Sequence, residues 1–261
     1  MKKKQPKNPP VRIAIFDLTD CEGCELEFLE LRKALVDRGH DFEITNWRLA
    51  NESNSPGPFD VTFIEGSPIT ETDIEIIKQA RKVSKYIITL GTCSDWGGLQ
   101  SAIPEKDRNK FIEAVYGKGY KTTSKPPKPI SYYIDVDIRL AGCPVSVVEL
   151  EKLLVCLFAG KEFKQAYGPV CLDCKAAGNP CLFLDEGFCM GPVTKGGCGA
   201  PCPSRGLRCY GCFGPIPGAN LSALNIAGAK KMNEAEIENA MRLYFTHSDE
   251  YRGYKLKGKK K

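Results

Sequence analysis

The sequence predicts an α/β protein in two parts, a doubly wound parallel sheet followed by a small, irregular cysteine-rich domain. Between residues 11 and 160, short β-branched apolar runs alternate with segments of helical periodicity, the pattern of a parallel sheet covered by helices. Residues 171–212 hold eight of the thirteen cysteines together with eight glycines and four prolines. A segment so poor in apolar side chains cannot offset its ordering entropy by burial alone, which predicts bound metal in its interior.

Five apolar runs are predicted to be the strands of the sheet. They cover residues 11–18, 42–47, 61–65, 86–90 and 133–140. Gly66-Ser67-Pro68 follows the third run and Gly91 the fourth, and both are typical of a strand end. Five parallel strands with helical crossovers favour a flavodoxin-like strand order.

The helices are predicted from apolar side chains that recur at helical spacing. A helix over residues 25–38 has acidic side chains at its start and basic ones at its end, as the helix dipole favours. Thr72 with Glu75, and Ser146 with Glu149, have the spacing of capping boxes that would open two further helices. Helices are also expected over residues 107–116 and 233–246, and the proline-rich residues 125–129 are expected to form a loop.

Lysine-rich segments are predicted to form a solvated tail at each end, residues 1–10 and 251–261. They flank the sheet domain, residues 11–160, and the cysteine-rich domain, residues 161–250. The formal net charge is +5, and the nine lysines of the tails exceed it, so the body of the chain is mildly acidic. This distribution gives no indication of a nucleic-acid surface, because such a surface is a basic face on a folded domain.

The composition argues against several classes of protein. No apolar run reaches the roughly 18 residues of a membrane helix. The basic N-terminus is not followed by the apolar segment and cleavage site of a signal peptide, so we expect a cytoplasmic protein. Thirteen cysteines, an odd number, in a reducing compartment disfavour a disulfide framework and make metal binding the leading interpretation.

Four cysteines of the first part follow predicted strands directly. Cys21 and Cys24 follow the first strand, Cys93 the fourth and Cys143 the fifth. Because the carboxyl ends of parallel strands share one edge of the sheet, where open α/β sheets bind ligands, we expect these thiols to converge. Four thiolates at one place meet the requirement of a [4Fe–4S] cluster, and buried structural thiols are the alternative.

The other eight cysteines form a separate series with a C-x2-C pair at each end. They are Cys171, Cys174, Cys181, Cys189, Cys198, Cys202, Cys209 and Cys212. Eight thiols divide into two sets of four, which could be two [4Fe–4S] clusters or two Zn–Cys₄ sites. The four inner cysteines do not form C-x2-C pairs, which is less typical of zinc modules, because these combine two C-x2-C knuckles.

The remaining cysteine and both histidines are not expected to bind metal. Cys156 lies among the leucines of a predicted helix and is interpreted as a small buried hydrophobic residue. His40 and His247 are distant in sequence from both cysteine groups. The scarcity of histidine therefore favours ligation by thiolates alone.

Four motifs give the chain a family resemblance. They are Cys-Glu-Gly-Cys-Glu at 21–25, Gly-Thr-Cys-Ser-Asp-Trp-Gly-Gly at 91–98, Ala-Gly-Cys-Pro at 141–144, and the eight-cysteine series. With these motifs, residues 11–218 resemble the small, electron-transferring subunit of [NiFe] hydrogenases. The likeness is strongest to the cytoplasmic multi-subunit group, and most of all to sulfhydrogenase delta subunits.

The resemblance implies three [4Fe–4S] clusters, called proximal, medial and distal. The implied ligands are Cys21, Cys24, Cys93 and Cys143 for the proximal cluster, Cys198, Cys202, Cys209 and Cys212 for the medial cluster, and Cys171, Cys174, Cys181 and Cys189 for the distal cluster. Cys171 stands where periplasmic relatives have a histidine, and Cys202 is able to complete a medial site that often lacks a fourth ligand. Both differences are expected to lower the cluster potentials.

The resemblance also implies that the NiFe site lies in a separate large subunit, so no catalytic residue is expected in this chain. Electrons from H₂ would pass through the proximal, medial and distal clusters to a flavin- and NAD(P)-binding or ferredoxin-like partner subunit. The chain has no Gly-x-Gly-x-x-Gly motif for a dinucleotide of its own. Trp96-Gly97-Gly98 and Glu65-Gly66 are expected to line the proximal cluster and the large-subunit interface.

Three other functions stay open at the level of sequence. A zinc-stabilised interaction module would use the same cysteines without redox chemistry. A subunit of a quinone-reducing membrane complex would share the first domain, but the adjacent Cys-Cys pair of that family is absent. A viologen- or deazaflavin-coenzyme-linked complex would use the same type of subunit with another acceptor.

Overall fold

The sheet of the first part is parallel throughout and has five strands. The computed structural model describes residues 9–31, 42–52, 54–165, 168–185 and 187–258. The strands are β1 Val11–Asp17, β2 Phe42–Trp47, β3 Phe59–Glu65, β4 Ser84–Leu90 and β5 Ile138–Leu140. Their order across the sheet is β2-β1-β3-β4-β5, and every neighbouring pair is parallel. This order is the flavodoxin-like one, which confirms the predicted fold class.

Helices follow the strands and continue through the second part of the chain. The α-helices of the described residues are α1 Gly23–Glu30, α2 Glu71–Val83, α3 Thr92–Trp96, α4 Arg108–Tyr116, α5 Val147–Phe158, α6 Val170–Ala176, α7 Leu182–Asp185, α8 Leu221–Gly228, α9 Glu234–Phe245 and α10 Asp249–Gly258. Single 3₁₀ turns lie at Leu99–Ala102, Glu105–Asp107, Ile130–Tyr132, Gly191–Val193 and Pro203–Arg205. Among the described helices, none combines the length and the apolar character that a membrane crossing requires.

The two predicted capping boxes are wrong in different ways. The N-cap of α2 is Thr70, whose Oγ1 accepts the N–H of Asp73 at 3.1 Å while the Asp73 carboxylate accepts the N–H of Thr70 at 2.9 Å. Thr70 has the extended backbone that an N-cap needs, so the N-cap lies two residues before the predicted Thr72 and α2 begins at Glu71. Helix α5 begins after Ser146 as expected, but the Ser146 side chain makes no capping hydrogen bond.

The first and last predicted strands and the C-terminal tail also differ from the sequence-based expectation. Strand β1 ends at Asp17, one residue early. Strand β5 begins only at Ile138, because the Asp137 carboxylate takes the N–H of Ile87 at 2.7 Å in place of a ladder bond. Helix α10 extends into the expected tail, where Tyr251 is buried in the apolar core of the second half of the chain. The part of the first predicted helix beyond residue 31 lies outside the described residues.

Three apolar cores hold the elements in place. One face of the sheet packs against α1 and α5, with Phe28 and Phe63 at its centre. The other face packs against α2. A third core lies in the second half of the chain, where Met190 from the cysteine-rich segment is buried with Met241 and Phe245 of α9. The cysteine-rich segment is therefore covered by helices that follow it in sequence.

Candidate functional site: three groups of thiols

The first group of cysteines lies at the carboxyl edge of the sheet, as predicted. Cys21 and Cys24 lie where β1 passes into α1, Cys93 lies in α3 directly after β4, and Cys143 lies in the loop after β5. All of these residues are free thiols. The sheet order brings the ends of β1, β3, β4 and β5 together, so segments more than 100 residues apart in sequence meet at one place.

The four thiols of this group influence one another electrostatically. Burial raises the pKa of Cys93 to about 12, and the neighbouring Cys143 and Cys21 add to this effect. Burial also raises the pKa of Cys24 and of Cys143. Thiols in this setting stay protonated at neutral pH unless a bound cation stabilises the thiolates. The donor set therefore fits a group that supplies positive charge to several sulfur atoms at once.

Two glycines leave the space that these thiols need. Gly91 has a φ of +88°, and a Cβ added there would collide with the Cys24 Sγ. Gly98 has a φ of +63°, and a Cβ there would lie 2.6 Å from the Cys93 Sγ. A side chain at either position would combine backbone strain with steric overlap.

Glu65 lies behind the first turn of α1 at the end of β3. Its buried carboxylate accepts the N–H groups of Cys24 at 3.1 Å and Glu25 at 2.8 Å. Burial raises the pKa of Glu65 to about 7, although these two hydrogen bonds lower it. Burial also raises the pKa of Glu25 to about 7, and its carboxylate accepts the indole N–H of Trp47 at 2.8 Å. Glu65 thus fixes the backbone that carries Cys24.

Two residues near Cys93 differ from what the sequence predicts. Gln100 is not marked by any sequence motif, and Trp96 is expected to line the proximal cluster and the large-subunit interface. The thiol of Cys93 donates to the Gln100 Oε1 at 3.4 Å, and the Gln100 amide donates to the Thr19 carbonyl at 2.7 Å. Gln100 follows the Gly-Thr-Cys segment closely, but no local pattern marks a glutamine as a thiol partner. Trp96 packs against Gly214 and under the Arg139 guanidinium, at the boundary between the sheet and the cysteine-rich part of the chain.

The second group of cysteines lines a cavity of about 80 Å³ in the cysteine-rich part. Its cysteines are Cys171 and Cys174 of α6, together with Cys181, Cys189 and Cys209. Burial raises the pKa of Cys171, and Cys189, Cys181 and Cys174 raise it further. The Cys189 Sγ accepts the N–H groups of Cys209 at 3.3 Å and Gly191 at 3.5 Å.

The third group lines a larger cavity of about 300 Å³ between the two parts of the chain. Its cysteines are Cys143, Cys198, Cys202, Cys209 and Cys212. Burial raises the pKa of Cys212 to about 12. Cys209 lies on the wall of both cavities of the cysteine-rich part, and Cys143 belongs to the sheet edge as well. The three groups of thiols are therefore contiguous.

Asp173 connects the second group to the third. Its Oδ2 accepts the N–H groups of Gly197 at 2.8 Å and Gly199 at 3.1 Å, which flank Cys198. Asp173 itself stands between Cys171 and Cys174 on α6. One carboxylate thus holds the loop of one thiol group against the helix of the other.

Cys156 and His247, which are not expected to bind metal, lie apart from the three groups of thiols. Cys156 is half-buried on α5 rather than fully buried. His247 lies against the Pro127 carbonyl at 3.1 Å and not among the cysteines, and His40 falls outside the described residues. Within the described parts of the chain, no group of three or more His, Cys, Asp or Glu residues has the spacing that holds a single metal ion.

These features define a class of protein in which a flavodoxin-like sheet and a cysteine-rich segment gather thiols at their junction. The family model of the NADH ubiquinone oxidoreductase 20 kDa subunit matches residues 21–157, and the chain belongs to this family.

Relatives that align with most of the chain place it among the hydrogenase small subunits. The chain is 35% identical to the sulfhydrogenase 2 subunit delta of Pyrococcus furiosus, over 90% of this chain and 99% of the relative. It is 30% identical to a subunit of the vhu F420-non-reducing hydrogenase of Methanocaldococcus jannaschii, over 78% of this chain and 82% of that protein. The chain is thus a subunit of a hydrogenase complex, as the four motifs predict.

Solved structures agree with this fold. The actinobacterial-type NiFe-hydrogenase of Ralstonia eutropha H16 has a chain that aligns with 98% of this one and over 91% of its own length, with a TM-score of 0.56 and 16% identity. A chain of an NAD⁺-reducing [NiFe]-hydrogenase aligns with 60% of this one and over 96% of its own length, with a TM-score of 0.52 and 22% identity.

Proposed function

We propose that this chain is the electron-transfer subunit of a multi-subunit [NiFe] hydrogenase and holds three [4Fe–4S] clusters. The observation that carries the proposal is the grouping of twelve of the thirteen free cysteines into three contiguous sets, with only Cys156 apart. The sheet domain, proposed as residues 11–160, would hold the first set, and the cysteine-rich domain, residues 161–250, the other two.

Each cluster would have four thiolate ligands. We assign Cys21, Cys24, Cys93 and Cys143 to the proximal cluster, Cys198, Cys202, Cys209 and Cys212 to the medial cluster, and Cys171, Cys174, Cys181 and Cys189 to the distal cluster. When bound, such clusters supply one-electron carriers. The shared position of Cys209 makes it the ligand on which the division between the medial and distal sets depends.

The residues present fit this cofactor. Buried thiols with raised pKa values gain most from a group whose iron atoms compensate the thiolate charge. Backbone N–H groups directed at the Cys189 and Cys198 sulfurs supply the hydrogen bonds that tune such clusters. Gly91 and Gly98 keep the approach to Cys24 and Cys93 open.

The proposed partners are a large subunit that carries the NiFe site and a flavin- and NAD(P)-binding or ferredoxin-like subunit, in the cytoplasm. The likeness to a chain of an NAD⁺-reducing [NiFe]-hydrogenase supports a nicotinamide as the final acceptor. The F420-non-reducing hydrogenase among the relatives makes another acceptor, such as a viologen, the alternative within the same proposal.

Native anaerobic purification followed by metal analysis tests the proposal. We expect nickel to arrive with a larger partner subunit, and about 12 iron atoms per copy of this chain, four for each of three cubanes. Serine substitution of one cysteine in any set, such as Cys24, Cys174 or Cys212, should remove about four of them. The matched control, Cys156→Ser, should keep the full iron content. A colourless protein that contains zinc and no nickel-bearing partner would refute the proposal and support a zinc module.

A further inference from the structure

Thr92 occupies the seam between the sheet and the cysteine-rich segment and is almost completely buried. Its hydroxyl donates to the carbonyl of Cys212, which lies 120 residues further along the chain. The same oxygen accepts the N–H of Gly142 at 3.0 Å. The backbone N–H of Thr92 donates to the Gly142 carbonyl at 2.8 Å. Through these bonds and the peptide bond to Cys93, one residue joins the segments that carry Cys93, Cys143 and Cys212.

The same seam brings thiols of the two parts of the chain together. Cys143 and Cys212 line one cavity. The carbonyl of Thr92 accepts the N–H of Gly98 at 3.1 Å, which closes the turn around Cys93. The position of the Cys212 backbone relative to the sheet edge is therefore tied to Thr92.

The chemistry of this position requires a hydroxyl. A hydroxyl supplies one donor and acceptor lone pairs at a single atom, and both functions of Thr92 are used. The part-buried carbonyl of Cys212 and the buried N–H of Gly142 would each lose a partner if the hydroxyl were replaced by a methyl group. Serine keeps both functions, whereas valine keeps the shape and removes them.

From this geometry we infer that Thr92 is a positioning residue for electron transfer between the sheet-edge site and the site that contains Cys212. In that step one electron leaves the sheet-edge site, which is oxidised, and enters the Cys212 site, which is reduced, and no proton or bond moves. The hydrogen bond from Thr92 to Cys212 provides a bonded connection that crosses the seam from the backbone of Cys93. The inference rests on the proposed function, because it requires redox groups at both sites.

The test compares three variants in the intact, metal-loaded complex. Thr92→Val removes the hydroxyl, and Thr92→Ser restores it. The matched control is Thr89→Val, because Thr89 is also fully buried and accepts the N–H of Leu140 at 3.3 Å, but this hydrogen bond stays within the sheet. The measurements are iron content, magnetic broadening between neighbouring reduced clusters by electron paramagnetic resonance, and the rate at which H₂ reduces the clusters of the cysteine-rich part.

We expect Thr92→Val to keep its iron but to slow that reduction about tenfold, the factor that corresponds to about 1.4 kcal/mol of lost positioning energy. Magnetic broadening between the two sites should weaken in parallel. Thr92→Ser should recover most of both signals, and Thr89→Val should change neither.

Two results would overturn the inference and leave the proposed function standing. One is unchanged rate and broadening in Thr92→Val with full iron. The other is loss of iron from Thr92→Val while Thr89→Val keeps it, which would assign Thr92 to site assembly alone. Absence of iron from the unmodified complex would instead refute the proposed function itself.

Discussion

The ion pair between Asp95 and Arg139 allows a quantitative prediction about the seam. Asp95 follows Cys93 by two residues and is completely buried, and its Oδ1 accepts the Arg139 guanidinium N–H at 2.7 Å. The Arg139 side chain is 39% exposed and lies over the Trp96 ring. Burial raises the pKa of Asp95, and Arg139 and Lys195 of the cysteine-rich segment both lower it. The carboxylate is therefore attracted to cations from both parts of the chain.

The two single substitutions should have unequal effects. Loss of one partner of a buried pair costs about 3–5 kcal/mol, because the other charge is left without compensation. In Arg139→Met the charge left behind is that of the fully buried Asp95, for which Lys195 compensates only in part, so we expect the free energy of unfolding to fall by about 3 kcal/mol. In Asp95→Asn the partly exposed Arg139 side chain can turn to water, so we expect the free energy of unfolding to fall by about half as much.

Thermal unfolding of the purified protein measures the difference. For a chain of this size each kcal/mol corresponds to roughly 2–4 °C, so Arg139→Met should lower the Tm by about 6–12 °C and Asp95→Asn by about 3–6 °C. The double variant should be more stable than Arg139→Met alone, because the uncompensated carboxylate is gone. Equal or strictly additive effects of the two substitutions would refute this account of the seam.

Three further predictions concern other parts of the molecule. Burial lowers the pKa of His247 to about 4, below the unfolded value of about 6.5, so the contribution of His247 to stability should fall by up to about 3 kcal/mol as pH drops between these values. Glu25 and Glu65, whose pKa values burial raises to about 7, change stability in the opposite direction, so the His247 contribution is measured as the difference in urea unfolding between the unmodified protein and His247→Phe at each pH. Asp173→Ala should release iron to a chelator faster than Asp173→Asn, because alanine removes both hydrogen bonds to the Cys198 loop, about 2 kcal/mol or more. Unchanged release would contradict that role. Gly91→Ala should cost about four iron atoms, whereas Gly117→Ala, at φ +90° in open space, should keep all of its iron.

The sequence predicted the features that depend on local pattern. Alternating apolar runs located all five strands, and the glycine and cysteine residues after them located the sheet-edge thiols. These predictions succeeded because the carboxyl ends of parallel strands share one edge whatever the details of packing. The capping residues of α2 and the start of β5 were misplaced, because each depends on one carboxylate, Asp73 or Asp137, that replaces a backbone partner.

Contacts between residues distant in sequence could not be predicted from the sequence. Thr92 and Asp173 look like ordinary neighbours of cysteines, and their roles appear only when Cys212 and Gly197 are brought beside them by the fold. The lysine pattern of residues 251–261 concealed a helix, because Tyr251 rather than the lysines determines how that segment packs. Interactions of this kind depend on tertiary distance and leave no periodic signal.

The third core changes the physical account of the cysteine-rich segment. Its composition suggests that metal alone would stabilise it, yet Val170, Phe188 and Met190 are buried with side chains of α8, α9 and α10. These helices supply the apolar surface that residues 171–212 lack, and α9 also packs on the turn at Leu99–Ala102, beside the first thiol group. The segment is therefore held from two sides, by bonds such as that from Thr92 to Cys212 and by the later helices. Rigid support on both sides keeps neighbouring thiol groups at fixed separations, as the proposed electron transfer between clusters at these groups would require.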